Sequence, residues 1–374
     1  MRILHLLDSA GPQACATTLA LLSDSFGRLA SHEQSLLLLG GTPLLRAAES
    51  VGLKRDHTNR VQIVGVPHGQ AVLGYTSARQ RLRSVGPIDM VHCWSLGTLT
   101  LASMLHWREK VRRVLTLTAE PDARSKRWLR ALISASGPVT ILCTSATIRH
   151  ALISSGVPES CVRTLRPSID LSRVAHTQRQ ALREKWKLPR PDTLVITPLS
   201  DPAPAADATL ALWPAGLAAQ TLTEGYDRIR LLLHPKQANR LRAIRTQRGM
   251  GRESFIIEDA GLDEPWNVLP GCDVAMACGP TSSGLSVLWA MASNVPIIGE
   301  ATYALSEVLE DRHSALLSKP GQPRLVAHRL RQLMDDQALA YNLRDTARRE
   351  AFGYFSRQRY CEELAEVYKS GMSD

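Results

Sequence analysis

The sequence predicts an α/β protein built from two doubly wound units, each a mostly parallel sheet set among helices. Short apolar runs alternate with stretches of helical periodicity along the first half, which is how a βαβ rhythm appears in one dimension. The rhythm breaks between Arg179 and Pro191 and starts again at Leu194. A chain of 374 residues is also long enough for two cores of ordinary size.

In the first half, strands are expected at Ile3–Leu7, Ser35–Leu39, Gln62–Val66, Met90–His92, Arg113–Leu117 and Thr140–Cys143. Helices are expected between them, near Thr17–Leu29, Leu44–Val51, Ala78–Ser84, Leu96–Trp107, Ser125–Ser134 and Ala146–Ser154. The stretch Val162 to Leu171 closes a first domain at 1–170, and 171–192 reads as a linker. A second domain, 193–354, repeats the rhythm through strands at Leu194–Pro198, Ile229–His234, Ser254–Glu258, Val274–Cys278 and Val295–Ile298. No fixed-period repeat occurs, and the short Pro/Ala loop from Ser200 to Asp207 is the one biased segment.

An apolar share of 44% and a charged share of 21% are those of a soluble globular protein. The formal charge of +10 falls on arginine-rich helical stretches, at Arg124 to Arg130, Arg179 to Lys187 and Arg240 to Arg252. As structure these are solvated helix faces. As function they would attract anionic partners: nucleotide phosphates, a lipid-phosphate acceptor, or an acidic membrane surface touched peripherally. Nucleic acid is not expected, because no basic stripe interleaves with stacking aromatics. Seven cysteines without a C-x-x-C pair or zinc spacing suggest reduced thiols and a cytoplasmic setting, at most peripheral to the inner face of a membrane. The opening Met1 to Asp8 is too short and too soon interrupted to be a signal, and reads as a first buried strand.

The most informative stretch runs from Cys272 to Ser318. An apolar run, Val274 to Cys278, meets Gly279-Pro280-Thr281-Ser282-Ser283-Gly284, after which Leu285, Leu288, Trp289 and Ala292 recur at helical spacing. A strand, a small-residue turn and a helix N-terminus together make a seat for phosphate. No P-loop, no G-x-G-x-x-G after the first strand, no G-x-S-x-G elbow and no D-x-D triplet occur in the chain.

This stretch resembles the C-terminal half of family 4 glycosyltransferases, which have the GT-B fold of two Rossmann-like domains facing a central cleft. The likeness lies in Trp289-Ala290-Met291, Val295-Pro296-Ile297-Ile298 and Glu307-Val308-Leu309-Glu310-Asp311. It extends over nearly the whole chain, through Ile3 to Gly11, Asp89 to Ser95, Val114 to Glu120, Thr144 to Asp170, Leu269 to Leu317, and Phe355-Ser356 with Tyr360 to Tyr368. The resemblance implies transfer of a sugar from a nucleotide-sugar donor to a hydroxyl of a glycan or lipid-linked acceptor, with retention of configuration. It implies no metal and no cofactor beyond the donor. It also implies that 355–374 is a helix crossing back to the first domain.

The chain departs from the family pattern where substrate is handled. The family's Gly-Gly loop ending in Glu is here Gly11-Pro12-Gln13-Ala14-Cys15. Trp94 and Thr118 stand where the family has histidines, and Thr281 and Trp289 where it has two glutamates. Its Gly-Arg and Lys clamp falls in the loop with Ser200, Asp201 and Ala206, which brings acids and no base to a diphosphate. Lys236 and Arg240 are the bases placed to substitute.

Two function classes follow: a transferase, weakly active for want of charge, or a non-catalytic GT-B module that binds glycan or nucleotide or partners an active transferase. On the first, Thr281, Ser282, Ser283, Gly284 and the backbone near Glu258 to Gly261 hold the donor, with Gly11, Gln13, Trp94, Thr118 and Glu120 toward the acceptor. Each has a plainer structural alternative. Trp289 reads as a core tryptophan or a stacking platform, and Thr281 to Ser283 as helix caps or phosphate ligands. Trp94 and His92 end a strand where α/β crevices lie, while His5 reads as a satisfied core histidine. Glu120 reads as a solvated loop acid or an acceptor-side carboxylate.

Overall fold

The computed structural model describes residues 1–8, 19, 21–23, 33–39, 60–64, 87–105, 111–137, 139–174, 179–199, 208–222, 225–233, 239–252, 255–258, 265–278 and 284–370. They divide into two compact units, Met1–Pro167 with Gln358–Asp374, and Ser168–Arg357.

The first unit holds a seven-stranded, all-parallel sheet. Its strands are β1 (Arg2–Asp8), β2 (Glu33–Leu39), β3 (Arg60–Val64), β4 (Met90–Cys93), β5 (Arg112–Leu117), β6 (Thr140–Cys143) and β7 (Val162–Thr164). They lie in the order β3-β2-β1-β4-β5-β6-β7. Both faces of the sheet are covered, so strand interiors read as almost continuous apolar runs, as in Ile3 to Leu7, where His5 is the one polar residue. Alternate residues serve two cores: Ile3, Leu7, Met90 and Val114 on one face, Leu4, Leu6, Val91 and Leu115 on the other. Local caps start the helices. Ser95 closes a capping box with Thr98 ahead of Leu96–Met104, while Asp122 caps Ala123–Ser136 and Ser145 caps Ala146–Ser154. The last helix, Arg357–Lys369, buries Tyr360, Leu364 and Tyr368 in the first of these cores. Arg112 grips its C-terminal carbonyls, donating to Tyr368 O at 2.8 Å.

The second unit holds six parallel strands: β8 (Leu194–Pro198), β9 (Ile229–Leu233), β10 (Ile256–Glu258), β11 (Val274–Ala277), β12 (Ile297–Glu300) and β13 (Leu316–Ser318). Their order is β10-β9-β8-β11-β12-β13. The stretch expected as a linker, 171–192, is instead built into this unit. Its helix Arg179–Lys185 sends Arg179 and Arg183 to the Asp273 carboxylate, which also accepts from Val195 N at 2.8 Å. Trp186 packs in the core against a bare backbone at Gly271, where a Cβ would stand 2.6 Å from the indole. An indole of that size finds its burial only against a core, which is why this stretch packs with the second unit.

Other differences are local. The strand expected from Val295 begins at Ile297, because Pro296 has no N–H to give a ladder and Val295 N donates back to Ala290 O. β7 and β13, three residues each, were not expected as strands. The helix expected at Thr17–Leu29 is seen at Leu19 and Leu21 to Ser23, while those at Leu44–Val51 and Ala78–Ser84 lie outside the described residues.

Candidate functional site

Parallel strands bring all their carboxyl ends to one edge of a sheet, and a ligand crevice opens where the strand order reverses. In the second unit the order reverses between β8 and β11, and in the first between β1 and β4. These two switch points position the candidate residues.

At the second unit's switch point, Leu199 N donates to Met276 O at 2.8 Å, stitching the end of β8 to β11. The helix Gly284–Ala292 opens here with Gly284 as its first residue. Thr281, Ser282, Ser283 and Ser200 lie outside the described residues. Trp289 is 9% exposed and belongs to the core with Leu285, Leu288 and Met291, on the structural side of the two readings. The helix sequence GLSVLWAMA carries no charge at all, so the polarity it offers is that of its N-terminal backbone. Glu258 ends β10 as an exposed carboxylate and is ion-paired to Arg240, the first residue of the helix Arg240–Gly249. Lys236 lies outside the described residues. One acid not singled out in the sequence also stands at this edge: Glu300 ends β12 and accepts from Gly321 N at 2.7 Å. Beyond it, at the β13 end of the sheet, a surface hollow of about 560 Å³ is lined by Gly321 to Leu325 and His328, none of them a candidate.

The first unit's switch point is filled with side chains. Asp8 ends β1 and accepts from Ser95 Oγ at 2.8 Å, while Gly97 leaves room for the carboxylate, since a Cβ there would stand 2.7 Å from Asp8 Oδ2. Trp94 does not line a crevice. It is 4% exposed, stacks on His92 with ring centroids 4.3 Å apart, and donates its indole N–H to His5 Nδ1 at 3.2 Å. That leaves His5 Nε2–H to donate to Gln34 Oε1 at 3.1 Å. His92 is equally committed: Nδ1 lies 2.6 Å from the Tyr368 hydroxyl and Nε2 lies 2.7 Å from Thr116 Oγ1. Burial pushes the His5 pKa down to about 3 and, with His5 beside it, pushes His92 well below the usual range, so both rings are neutral.

Thr118 is half-buried just past β5, and Glu120 is exposed and paired with Lys126 at 2.5 Å. Gly11 and Gln13 lie outside the described residues. Among the described residues no group of three His, Cys, Asp or Glu could hold a metal ion. Cys272 and Cys278 are buried thiols whose pKa burial drives upward. Among the same residues, no helix is long and apolar enough to cross a membrane.

The sequence could not have shown the pairing of Asp8 with Ser95, 87 positions apart, because only the adjacency of β1 and β4 makes it. Glu300 carried a fainter signal, an acid closing an apolar run.

Two doubly wound parallel units, with the last helix returned to the first, define the GT-B class of α/β fold. Residues 218–350 match the model of the family described as glycosyl transferases group 1. HepE from Anabaena, solved with UDP and glucose, is 15% identical with a TM-score of 0.78, over 99% of this chain and 100% of that one. A glycosyltransferase from Rickettsia africae is 11% identical with a TM-score of 0.78, over 100% and 99%. The sucrose-phosphate synthase of Thermosynechococcus elongatus is 13% identical with a TM-score of 0.70, over 100% and 99%. At such identities the likeness establishes the fold. No curated protein matches the chain.

Proposed function

We propose that the chain transfers a sugar from a nucleotide-sugar donor to an acceptor hydroxyl, with retention, as family 4 glycosyltransferases do. The observation that carries this reading is the family match over 218–350, which takes in the small-residue turn and the helix Gly284–Ala292 at the second switch point. In it, Thr281 to Gly284 hold the donor phosphates and the backbone near Glu258 takes the rest of the nucleotide. Gly11, Gln13, Thr118 and Glu120 serve a glycan or lipid-linked acceptor. Trp94 acts only behind the strand end, as packing. The protein works in the cytoplasm.

Charge builds on the leaving diphosphate in this chemistry, and losing one preorganised donor there costs about 10²- to 10³-fold in rate. The uncharged helix and the core position of Trp289 therefore also favour a second reading, a degenerate module that binds nucleotide without turning it over.

Thermal melting of the full chain with UDP-, GDP- and ADP-glucose tests both, since a ligand bound to the folded state raises the melting temperature. A rise with one donor and release of its nucleoside diphosphate supports the transferase. A rise without release supports the module. No rise with any donor removes both.

A further inference from the structure

Three arginine-rich stretches were candidates for an anionic partner, and their surroundings differ. Arg179 and Arg183 are committed to Asp273 and to backbone carbonyls of their own unit. On Ala123–Ser136, Arg124, Arg127 and Arg130 are exposed too, but Lys126 is paired with Glu120 and the Trp128 indole N–H is spent on Thr100 at 2.9 Å. Arg240–Gly249 has its exposed arginines beside an indole with no such bond among the described residues. Beyond Arg240 it carries Arg242, Arg245 and Arg248, with no acid, and the first two are exposed with no ion pair among the described residues.

Beside this helix lies Ala208–Gln220, which has no charged residue of either sign. Ala211 and Ala215 of one and Ala243 of the other share a core on the same face of the sheet. Each helix follows one of the parallel, adjacent strands β8 and β9, so both start from the carboxyl edge and run in the same direction. Their first two turns therefore stand side by side. There Leu210 is 41% exposed, Trp213 63% and Leu241 58%. The Trp213 indole has no hydrogen bond among the described residues. An indole, two leucines and two arginines, with no acid on either helix, make an outward face of the kind that lies in a membrane interface.

We propose that this face, centred on Trp213 with Leu210, Leu241, Arg242 and Arg245, seats the protein on an anionic lipid bilayer. Trp213 and the leucines enter the headgroup boundary while the arginines pair with lipid phosphates. A second copy of the chain does not suit the face, because two such surfaces would bring arginines together. The face lies on the outer side of two helices and needs no donor nucleotide, so it stands or falls independently of sugar transfer.

Sedimentation of the full chain with vesicles tests it, using phosphatidylcholine alone and phosphatidylcholine mixed with phosphatidylglycerol. Binding is expected to the anionic vesicles only and to weaken with added salt. At about 1 kcal/mol per arginine near the surface, R242Q with R245Q should weaken binding about 25-fold. W213A should weaken it further while leaving the melting temperature near that of the parent. R124Q with R127Q, on the first unit, should change little. Failure of the parent to bind, equal loss from the first-unit pair, or capture of an acidic protein through Trp213 without vesicle binding would each overturn the proposal.

Discussion

The two switch points of this protein are furnished in opposite ways. At β1 and β4 the chain builds a dry polar core, in which His5, His92 and Trp94 stack and find partners in Gln34, Thr116 and Tyr368. At β8 and β11 stands an uncharged helix, Gly284–Ala292, with its first residue at the carboxyl edge. The first arrangement is structural: each ring nitrogen in it has a partner, and leaving one buried and unmatched costs about 1–3 kcal/mol. The second carries no such network of rings: its helix brings only uncharged residues to the strand ends. The same topology thus gives one unit a brace of packed rings and the other an uncharged helix.

The contrast can be broken hardest at Trp94. W94A should destabilise the first unit by about 3–5 kcal/mol, because a large buried ring is lost and His5 Nδ1 is left without its donor. A shift in denaturant midpoint checks it, and a near-silent substitution would mean the network is no brace.

Acid should loosen the same place. Both imidazoles stay neutral when folded, whereas an unfolded histidine takes a proton below its ordinary 6.5. The unfolded chain then binds more protons, so stability is full above that value. It falls by about 1.4 kcal/mol per pH unit per ring as pH drops toward 3. H5Q should flatten the slope by about one ring's share, read from melts across that range.

In the second unit, G271A forces a Cβ into the Trp186 ring and should cost about 1–3 kcal/mol, visible as a lower melting temperature. The smallest effect on stability belongs to E120Q. The pair with Lys126 is exposed, worth about 0–1 kcal/mol, so melting should barely move. If Glu120 faces an acceptor, the rate of sugar transfer falls even so, and an unchanged rate returns it to the solvated loop acids.

Much of the frame was visible before folding. Thr140–Cys143 and Leu194–Pro198 stand where periodicity puts them, because period and length are local properties, and Arg357–Lys369 lies within the last helix that the resemblance implied. Strands of three residues carry little pattern, so β7 and β13 escaped notice, while β10, as short, fell within the expected Ser254–Glu258. Of the candidate site, the helix that opens at Gly284 was legible from its periodicity. The fate of Trp94 was not, because its position at a strand end is the same whether the ring turns outward or inward. His5, Gln34, His92, Thr116 and Tyr368 decided it, and they are gathered from distant parts of the chain.

Composition and periodicity therefore settled the kind of layers this protein would form. Among the described residues, folding alone settled which indoles became core, at Trp94, Trp186 and Trp289, and which were left outside, at Trp128 and Trp213. The physical reason is that burial depends on what stands opposite a side chain, and neighbours across a sheet share no sequence interval.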